Sequence, residues 1–225
     1  MQTEVKYMRN VFIRATFMVI GVILFFSVVF TTVSLWKGKT DFRREIGYRL
    51  RVDQVEQYRP LVERYAKEHD LEQEVDTLLA IMMQESGGRG DDPMQASESL
   101  CGERGCIDHP EQSIAQGVAY FKEALDKANG DRKLAIQSYN FGVGFASYAL
   151  EKAGQYTFDV AVQFSQEMYE RAQDKSLYTC LRKEAREYDA CYGDILYVRD
   201  VLGYRDLFLS DEKQDVAKFD SQVIK

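Results

Sequence analysis

The sequence is poor in proline, histidine and tryptophan, with 3, 2 and 1 copies among its 225 residues. Scarce proline favours a helical fold, and no stretch alternates apolar and polar residues over a convincing strand length. His69 and His109 lie 40 residues apart without metal-ligand spacing around either, so we expect no metal site. No glycine-rich loop has the spacing of a phosphate cradle, and we expect no cofactor.

Positive charge is also in short supply. The chain has 29 Lys and Arg against 36 Asp and Glu, a net charge of −7. The first 36 residues hold three basic side chains and one acidic one, so the rest of the chain is more acidic still. Because no basic patch interleaved with aromatic residues occurs either, the sequence predicts no binding to nucleic acid.

A long apolar run lies near the amino terminus. Residues 15–36 contain no charge and are rich in Val, Ile, Phe and Leu. As a helix, a segment of this length spans the roughly 30 Å hydrocarbon core of a bilayer. A cleaved signal peptide is the alternative, but its apolar region is usually only about 7–15 residues long and ends in a small-residue cleavage site. We therefore predict a transmembrane anchor at 15–36 behind a short cytoplasmic segment, 1–14.

The four cysteines bear on which side of the membrane the rest of the chain occupies. Basic residues flank the apolar run on both sides, so the positive-inside rule gives no clear orientation. An even number of cysteines without paired C-x2-C motifs favours disulfides, which form outside the reducing cytosol. Three pairings are possible, and we favour the local pairs Cys101–Cys106 and Cys180–Cys191 over a cross-linked arrangement. The prediction is a single-pass membrane protein with an extracytoplasmic domain.

The chain beyond the anchor divides into a stalk, one domain and a tail. Residues 37–57 are highly charged with apolar residues at roughly helical intervals, which predicts a helical stalk. Residues 58–205 are enough for one sound hydrophobic core. Residues 206–225 form a polar tail.

Helical periodicity, glycine and proline positions predict an all-α domain. Pro60 suits a first helical turn, and Gly87-Gly88 suits the end of a helix from Leu71 to Glu85. Asp108 is the predicted cap of the next long helix. Further helices are predicted at 133–139, 158–173, 177–190 and 194–203.

Glu85 is the most informative residue. Val75, Leu78, Met82 and Glu85 share one helical face, so the carboxyl lies on the side that its neighbours bury. An acid there loses hydration and its pKa rises. A carboxylic acid that stays protonated near neutral pH is the proton donor that cleavage of a glycosidic bond requires. A helix-terminal Glu turned towards solvent is the alternative.

Three short motifs occur in order along the chain: Glu85-Ser86, Pro93-Met94-Gln95 and Ser138-Tyr139-Asn140. They resemble the "ES", "GLMQ"-like and "AYN"-like motifs of the lytic transglycosylase and goose-type lysozyme superfamily. Within it, residues 57–205 are similar to the CwlT-like lysozyme domains of Gram-positive bacteria, the pneumococcal vaccine antigen A type included, and Tyr192-Gly193-Asp194 resembles their ending. Asp92-Pro93 stands where the transglycosylases have Gly-Leu, and Ser138 replaces their Ala.

The resemblance implies a lysozyme-like helical fold, with at most a small hairpin in 86–107. It also implies cleavage of the β-1,4 bond between N-acetylmuramic acid and N-acetylglucosamine in peptidoglycan, with Glu85 as general acid. We favour a muramidase, in which Asp91 or Asp92 would activate the attacking water. A lytic transglycosylase, which needs only one acid/base, and an inactive wall-binding scaffold are the alternatives. Protein partners are not predicted.

The same resemblance assigns further site residues. Tyr139 would hydrogen-bond the Glu85 carboxyl, and Asn140 would shape the cleft. Gln95 matches the position that contacts the sugar. Ser86, which follows the acid, is a substrate-binding candidate that could instead cap the helix or fold back on the loop.

Overall fold

The computed structural model of the protein describes four stretches of the chain: residues 18, 30–31, 47–180 and 182–209. The chain divides into two units, Met1–Leu50 and Arg51–Lys225. The second unit contains every predicted site residue.

The predicted anchor, 15–36, lies outside the described residues except at three positions, and so do the first part of the stalk and most of the tail. Among the residues that are described, no helix is both long enough and apolar enough to cross a bilayer. The described end of the stalk is helical up to residue 56, as predicted.

From residue 59 the described chain contains nine α-helices: α1 (Arg59–Glu68), α2 (Val75–Glu85), α3 (Ser97–Cys101), α4 (Pro110–Lys127), α5 (Arg132–Phe141), α6 (Gly144–Ala153), α7 (Phe158–Arg171), α8 (Lys183–Glu187) and α9 (Tyr197–Phe208). Short 3₁₀ turns occur at Glu72–Glu74 and Lys175–Leu177. No strand occurs within the described ranges, so the helical fold class is confirmed there. The small hairpin that was allowed in 86–107 does not occur, because that stretch forms α3 and hydrogen-bonded turns.

Helix α2 is the centre of the domain. Its residues are buried on every side from Thr77 to Met83, which is typical of a helix surrounded by others. Helix α9 packs along it, α1 packs beside it, and α4 pairs with α5 and α1. Since α2 leaves the core only at its last turn, its final residue, Glu85, lies where the core meets the surface.

Helix α6 was not predicted, because Gly142 and Gly144 suggested a break. Gly142 does end α5, with φ at +88°, a backbone conformation that favours glycine. The chain then enters α6 at once, since Phe145 packs edge-to-face on Phe141 with ring centroids 5.2 Å apart. Burial of this aromatic pair overrides the local helix-breaking signal.

Other boundaries also differ from the predictions. The cap of α4 is His109 and not Asp108: its Nδ1 accepts a hydrogen bond from the Glu111 backbone N–H. The helix predicted at 177–190 is reduced to the short α8. The last helix begins three residues later than predicted and continues to Phe208, because residues 194–196 form a turn.

Both disulfides join local pairs, Cys101–Cys106 and Cys180–Cys191, as favoured from the sequence. The first closes the end of α3. The second closes the segment that contains α8 and leads towards α9.

Candidate active site

Glu85 is the last residue of a buried helix and is itself only partly exposed. Burial raises its pKa from an ordinary value of 4.5 to about 7. The Tyr197 hydroxyl donates a hydrogen bond of 2.5 Å to Glu85 Oε1, which lowers the pKa. The negative charges of Asp194, Asp92 and Glu98 also contribute to the net rise to about 7. Glu85 is therefore protonated in a substantial fraction of molecules near neutral pH.

The hydrogen bond from Tyr139 to Glu85 that the motif predicted is wrong. The buried Tyr139 hydroxyl donates to the backbone carbonyl of Met94 over 2.9 Å, and the phenol that contacts the acid is Tyr197. Tyr197 is 112 positions from Glu85 in the sequence. The available signal was the buried face of α9, where Tyr197 and Val201 lie one helical turn apart.

The contact between Tyr139 and Met94 requires glycine at position 117, because a side chain there would collide with both residues. A Cβ added to Gly117 on α4 would lie 2.6 Å from Met94 Sδ and 2.9 Å from Tyr139 Oη. The Met94 backbone N–H also donates to Ser113 Oγ on α4, over 3.0 Å. Helices α4 and α5 therefore fix the segment after the acid from two sides, an arrangement that the sequence motif did not reveal.

Asp92, one of the two candidate second carboxylates, organises this segment. It accepts hydrogen bonds from Ala96 N, from Ser97 N and Oγ, and from Ser113 Oγ, over 2.6–3.0 Å. Burial alone would raise its pKa, but these hydrogen bonds outweigh that effect and the pKa is lowered. Both carboxylate oxygens are thus occupied by structural contacts.

The other polar residues near the acid differ in how they are used. Ser86 Oγ donates to the Pro93 carbonyl over 2.7 Å, which folds it back on the loop. Gln95 is exposed with φ at +49°, and its side-chain nitrogen donates to the Asp92 carbonyl over 2.9 Å. Asp91 is exposed, and it makes no hydrogen bond or ion pair with any described residue. The substrate contacts of Ser86 and Gln95 and the catalytic role of Asp91 stay predictions.

Asn140 holds the turn that leads into α9. Its Oδ1 accepts a hydrogen bond of 2.7 Å from the Asp194 backbone N–H. Gly193 passes so close to the end of α5 that an added Cβ would lie 2.6 Å from the Phe141 ring. The Asp194 carbonyl in turn accepts from Tyr197 N over 3.2 Å. Asn140 therefore acts on the acid's surroundings through this turn, while its contact with a substrate stays a prediction.

Across residues 47–180 and 182–209, no group of three or more His, Cys, Asp or Glu side chains is arranged to hold a metal ion.

Comparison with known proteins identifies the family. A family model described as lysozyme-like matches residues 52–205. The chain belongs to the lysozyme-like family. This agrees with the superfamily that the motifs around Glu85 indicated.

Three proteins with similar sequences are compared with this lysozyme-like chain by identity and by the share of each chain that is covered. The bifunctional muramidase/DL-endopeptidase CwlT of Bacillus subtilis is 37% identical over 151 residues, which cover 67% of this chain and 41% of CwlT. The uncharacterized membrane protein YocA of the same organism is 34% identical over 208 residues, 87% of this chain and 88% of YocA. A crystal structure is known of a protein similar to a lipoprotein of the NLP/P60 family, from Staphylococcus aureus. Its sequence is 38% identical to this chain, and the two structures superpose with a TM-score of 0.59 over 68% of this chain and 52% of the staphylococcal chain. The lysozyme-like chain thus spans less than half of CwlT and about half of the staphylococcal protein.

Proposed function

We propose that this protein cleaves the glycan strands of peptidoglycan at the β-1,4 bond between N-acetylmuramic acid and N-acetylglucosamine. The observation that carries the proposal is the Glu85 carboxyl, whose pKa is raised to about 7 at the end of a buried helix. The substrate class is supported by the muramidase activity in the printed name of CwlT. Because the similarity covers only part of CwlT, the proposal takes up no endopeptidase activity.

In this proposal Glu85 acts as the general acid. Its proton passes to the leaving glycosidic oxygen while an oxocarbenium-like centre develops on the sugar. Tyr197 donates to Oε1, which leaves Oε2 as the oxygen that carries the acidic proton. After the transfer, the same hydrogen bond stabilises the new carboxylate.

We propose a muramidase in which water attacks the sugar, with Asp91 as the base that activates this water. Asp91 is exposed in the segment directly after the acid. Asp92 is the weaker candidate, because both of its oxygens already accept hydrogen bonds.

A lytic transglycosylase is the second candidate, and the state of the other carboxylates favours it. Asp194 forms an ion pair with Arg182, and Glu98 forms one with Arg104; the nitrogen–oxygen distance is 2.7 Å in each pair. In transglycosylation the 6-hydroxyl of the muramic acid attacks internally, so no second carboxylate is required and Glu85 serves as acid and then base.

The test is mass spectrometry of muropeptides released from purified cell wall by the full-length protein. Reducing muramic acid ends indicate hydrolysis, and 1,6-anhydro ends indicate transglycosylation. The Glu85→Gln variant is the matched control and should release neither. If the unaltered protein releases no soluble sugar fragments, the proposal is wrong and the wall-binding scaffold takes its place.

We also propose that residues 15–36 anchor the protein in the cell membrane with the catalytic domain outside. Two disulfides support the extracytoplasmic side. The similarity to YocA, a membrane protein by its printed name, extends over 87% of this chain. The protein should stay with membranes after a high-salt wash, keep its amino terminus and show no alkylatable thiol. Full-length protein free in the medium would overturn the proposal.

A further inference from the structure

The disulfide-closed segment 180–191 contains a residue that the proposed chemistry does not use. The Arg182 guanidinium pairs with two carboxylates, through Nη2 with Asp194 Oδ2 at 2.7 Å and through Nη1 with Asp200 Oδ2 at 2.6 Å. The Arg182 side chain is 28% exposed and each carboxylate 19% exposed. Burial of this extent weakens solvent screening, so the contacts matter more than those of an open surface pair.

Asp194 precedes the first turn of α9, and Asp200 lies at the end of that turn. Asp194 Oδ1 accepts from Leu196 N over 2.9 Å, and the Asp194 carbonyl accepts from Tyr197 N. Asp200 lies one turn further on, and its backbone N–H donates to the Leu196 carbonyl. Arg182 thus joins the residue before the turn to a residue at its end. The turn between them presents Tyr197.

We infer that Arg182 is a positioning residue for the acid: it holds Asp194 and Asp200 so that the first turn of α9 keeps Tyr197 on Glu85. It also balances the carboxylate charge that faces Glu85 from this side. The link to catalysis rests on the proposed function, whereas the effect on the Glu85 carboxyl is a property of the folded chain alone.

The charged and titratable groups around Glu85 determine in which direction its pKa should change when Arg182 is replaced. Tyr197 on α9, Asp194 before it, Tyr139 on α5, Asp92 in the loop and Glu98 on α3 interact electrostatically with the acid. The Arg51 side chain lies against Gly87, two positions after the acid. The Asp194 charge has the largest effect of the three carboxylates on the Glu85 pKa.

Loss of Arg182 would act on the Glu85 pKa in two ways. It would leave Asp194 without its ion-pair partner, and it would loosen the Tyr197 hydrogen bond that lowers the pKa. Asp200 is also paired with Arg199, so it would keep one arginine. Both effects of the loss raise the Glu85 pKa, so the sign of the expected change is upward.

The test is a titration of the Glu85 carboxyl by NMR in the full-length protein with ¹³C-labelled glutamate, in which the Glu85→Gln variant identifies the signal. Arg182→Gln should move the midpoint upward by about half a pH unit or more. Arg182→Lys should largely restore it. Lys183→Gln, which removes the same charge at the next, exposed position, should leave it in place. Equal titrations for Arg182→Gln and Lys183→Gln would overturn the inference.

Asp200→Asn provides a second variant if Arg182→Gln does not fold. It breaks the ion pair with Arg182 at a carboxylate that is not among those acting on Glu85, so the weakened hold on Tyr197 should raise the Glu85 midpoint. An unchanged or lowered midpoint would overturn the inference. With cell wall as substrate, Arg182→Gln should move the alkaline side of the pH–rate profile upward and lower kcat several-fold, with little change in KM. If the unaltered protein does not cleave cell wall, the proposed function fails, while the titration still decides the role of Arg182.

Discussion

Two segments meet at Glu85 and use their polar groups in different ways. In the loop that follows the acid, the side chains of Ser86 and Asp92 bond to the same loop and to α4. In the turn that precedes α9, Asp194 and Tyr197 act on Glu85 itself, one by charge and one by a hydrogen bond. The loop next to the acid uses most of its polar groups in structural hydrogen bonds, whereas the distant segment provides the hydrogen bond to the acid and the largest carboxylate effect on its pKa.

The comparison shows that the residues nearest to Glu85 in the sequence are not the ones that contact its carboxyl. Asp92 follows Glu85 by seven positions and seemed a natural partner, yet its oxygens are occupied by structural hydrogen bonds. Tyr197 begins a helix more than a hundred residues later and provides the closest contact described for the carboxyl. The predictions below test whether the two segments separate in this way when each is altered.

Glu85→Gln should give the largest change in activity. General acid catalysis typically contributes about 10²–10⁴-fold, so glycan cleavage should fall by at least that order. Gln can still accept the hydrogen bond from Tyr197, so the local structure should persist. The check is the initial rate of release of muropeptides from purified wall.

Stability should respond to Glu85→Gln in the opposite direction. The folded pKa of about 7 lies above the ordinary value of 4.5, so the unaltered protein loses stability as pH rises between these values. Gln does not titrate, and the variant should be equally or slightly more stable at neutral pH by thermal unfolding. Near-normal turnover by this variant would mean that another carboxylate is the acid, with Asp91 and Glu98 next to be examined.

Asp92→Ala should damage the fold more than the chemistry. Its carboxylate accepts four hydrogen bonds from residues of the loop, of α3 and of α4, and their loss should cost about 2–4 kcal/mol of unfolding free energy. Because its folded pKa is lowered, the stabilisation is present at neutral pH and is lost as pH falls through that pKa. Urea unfolding at neutral and acidic pH measures both effects.

The adjacent Asp91→Ala variant is the matched control for Asp92→Ala. Asp91 is exposed, so its loss should change stability by less than about 0.5 kcal/mol. If Asp91 is the base in hydrolysis, this variant should lose activity while it remains fully folded. Equal stability of the two variants would contradict the structural role assigned to Asp92.

Local features of the site could be predicted from the sequence, and long-range features could not. The position of Glu85 follows from the periodicity of one helix, and the disulfides follow from the short separations of Cys101–Cys106 and Cys180–Cys191. The contacts made by Tyr197 and Arg182 depend on how α9 and the disulfide-closed segment pack in space. Periodicity along a single helix contains no information about such packing.

The unpredicted α6 has a related cause. Two glycines signalled a break, whereas the aromatic contacts that hold the helix against α5 and α7 involve residues on three different helices. Sequence motifs likewise named Tyr139 as the partner of the acid, because the motif marks a position in the family and not the direction of a hydroxyl group.

The smallest effect, and the sharpest comparison, comes from two buried tyrosines. Tyr197→Phe removes the donor to Glu85, so the Glu85 pKa should rise by about half to one unit and kcat should fall about three- to tenfold. Tyr139→Phe removes the donor to the Met94 carbonyl, which should cost about 1 kcal/mol of stability and leave the pH–rate profile in place. Profiles measured side by side on purified wall, with thermal unfolding of both variants, distinguish the two roles. If the pH–rate profile shifted in Tyr139→Phe but not in Tyr197→Phe, the assignment would be reversed, and Tyr139 at the end of α5 would be the residue that controls the Glu85 pKa.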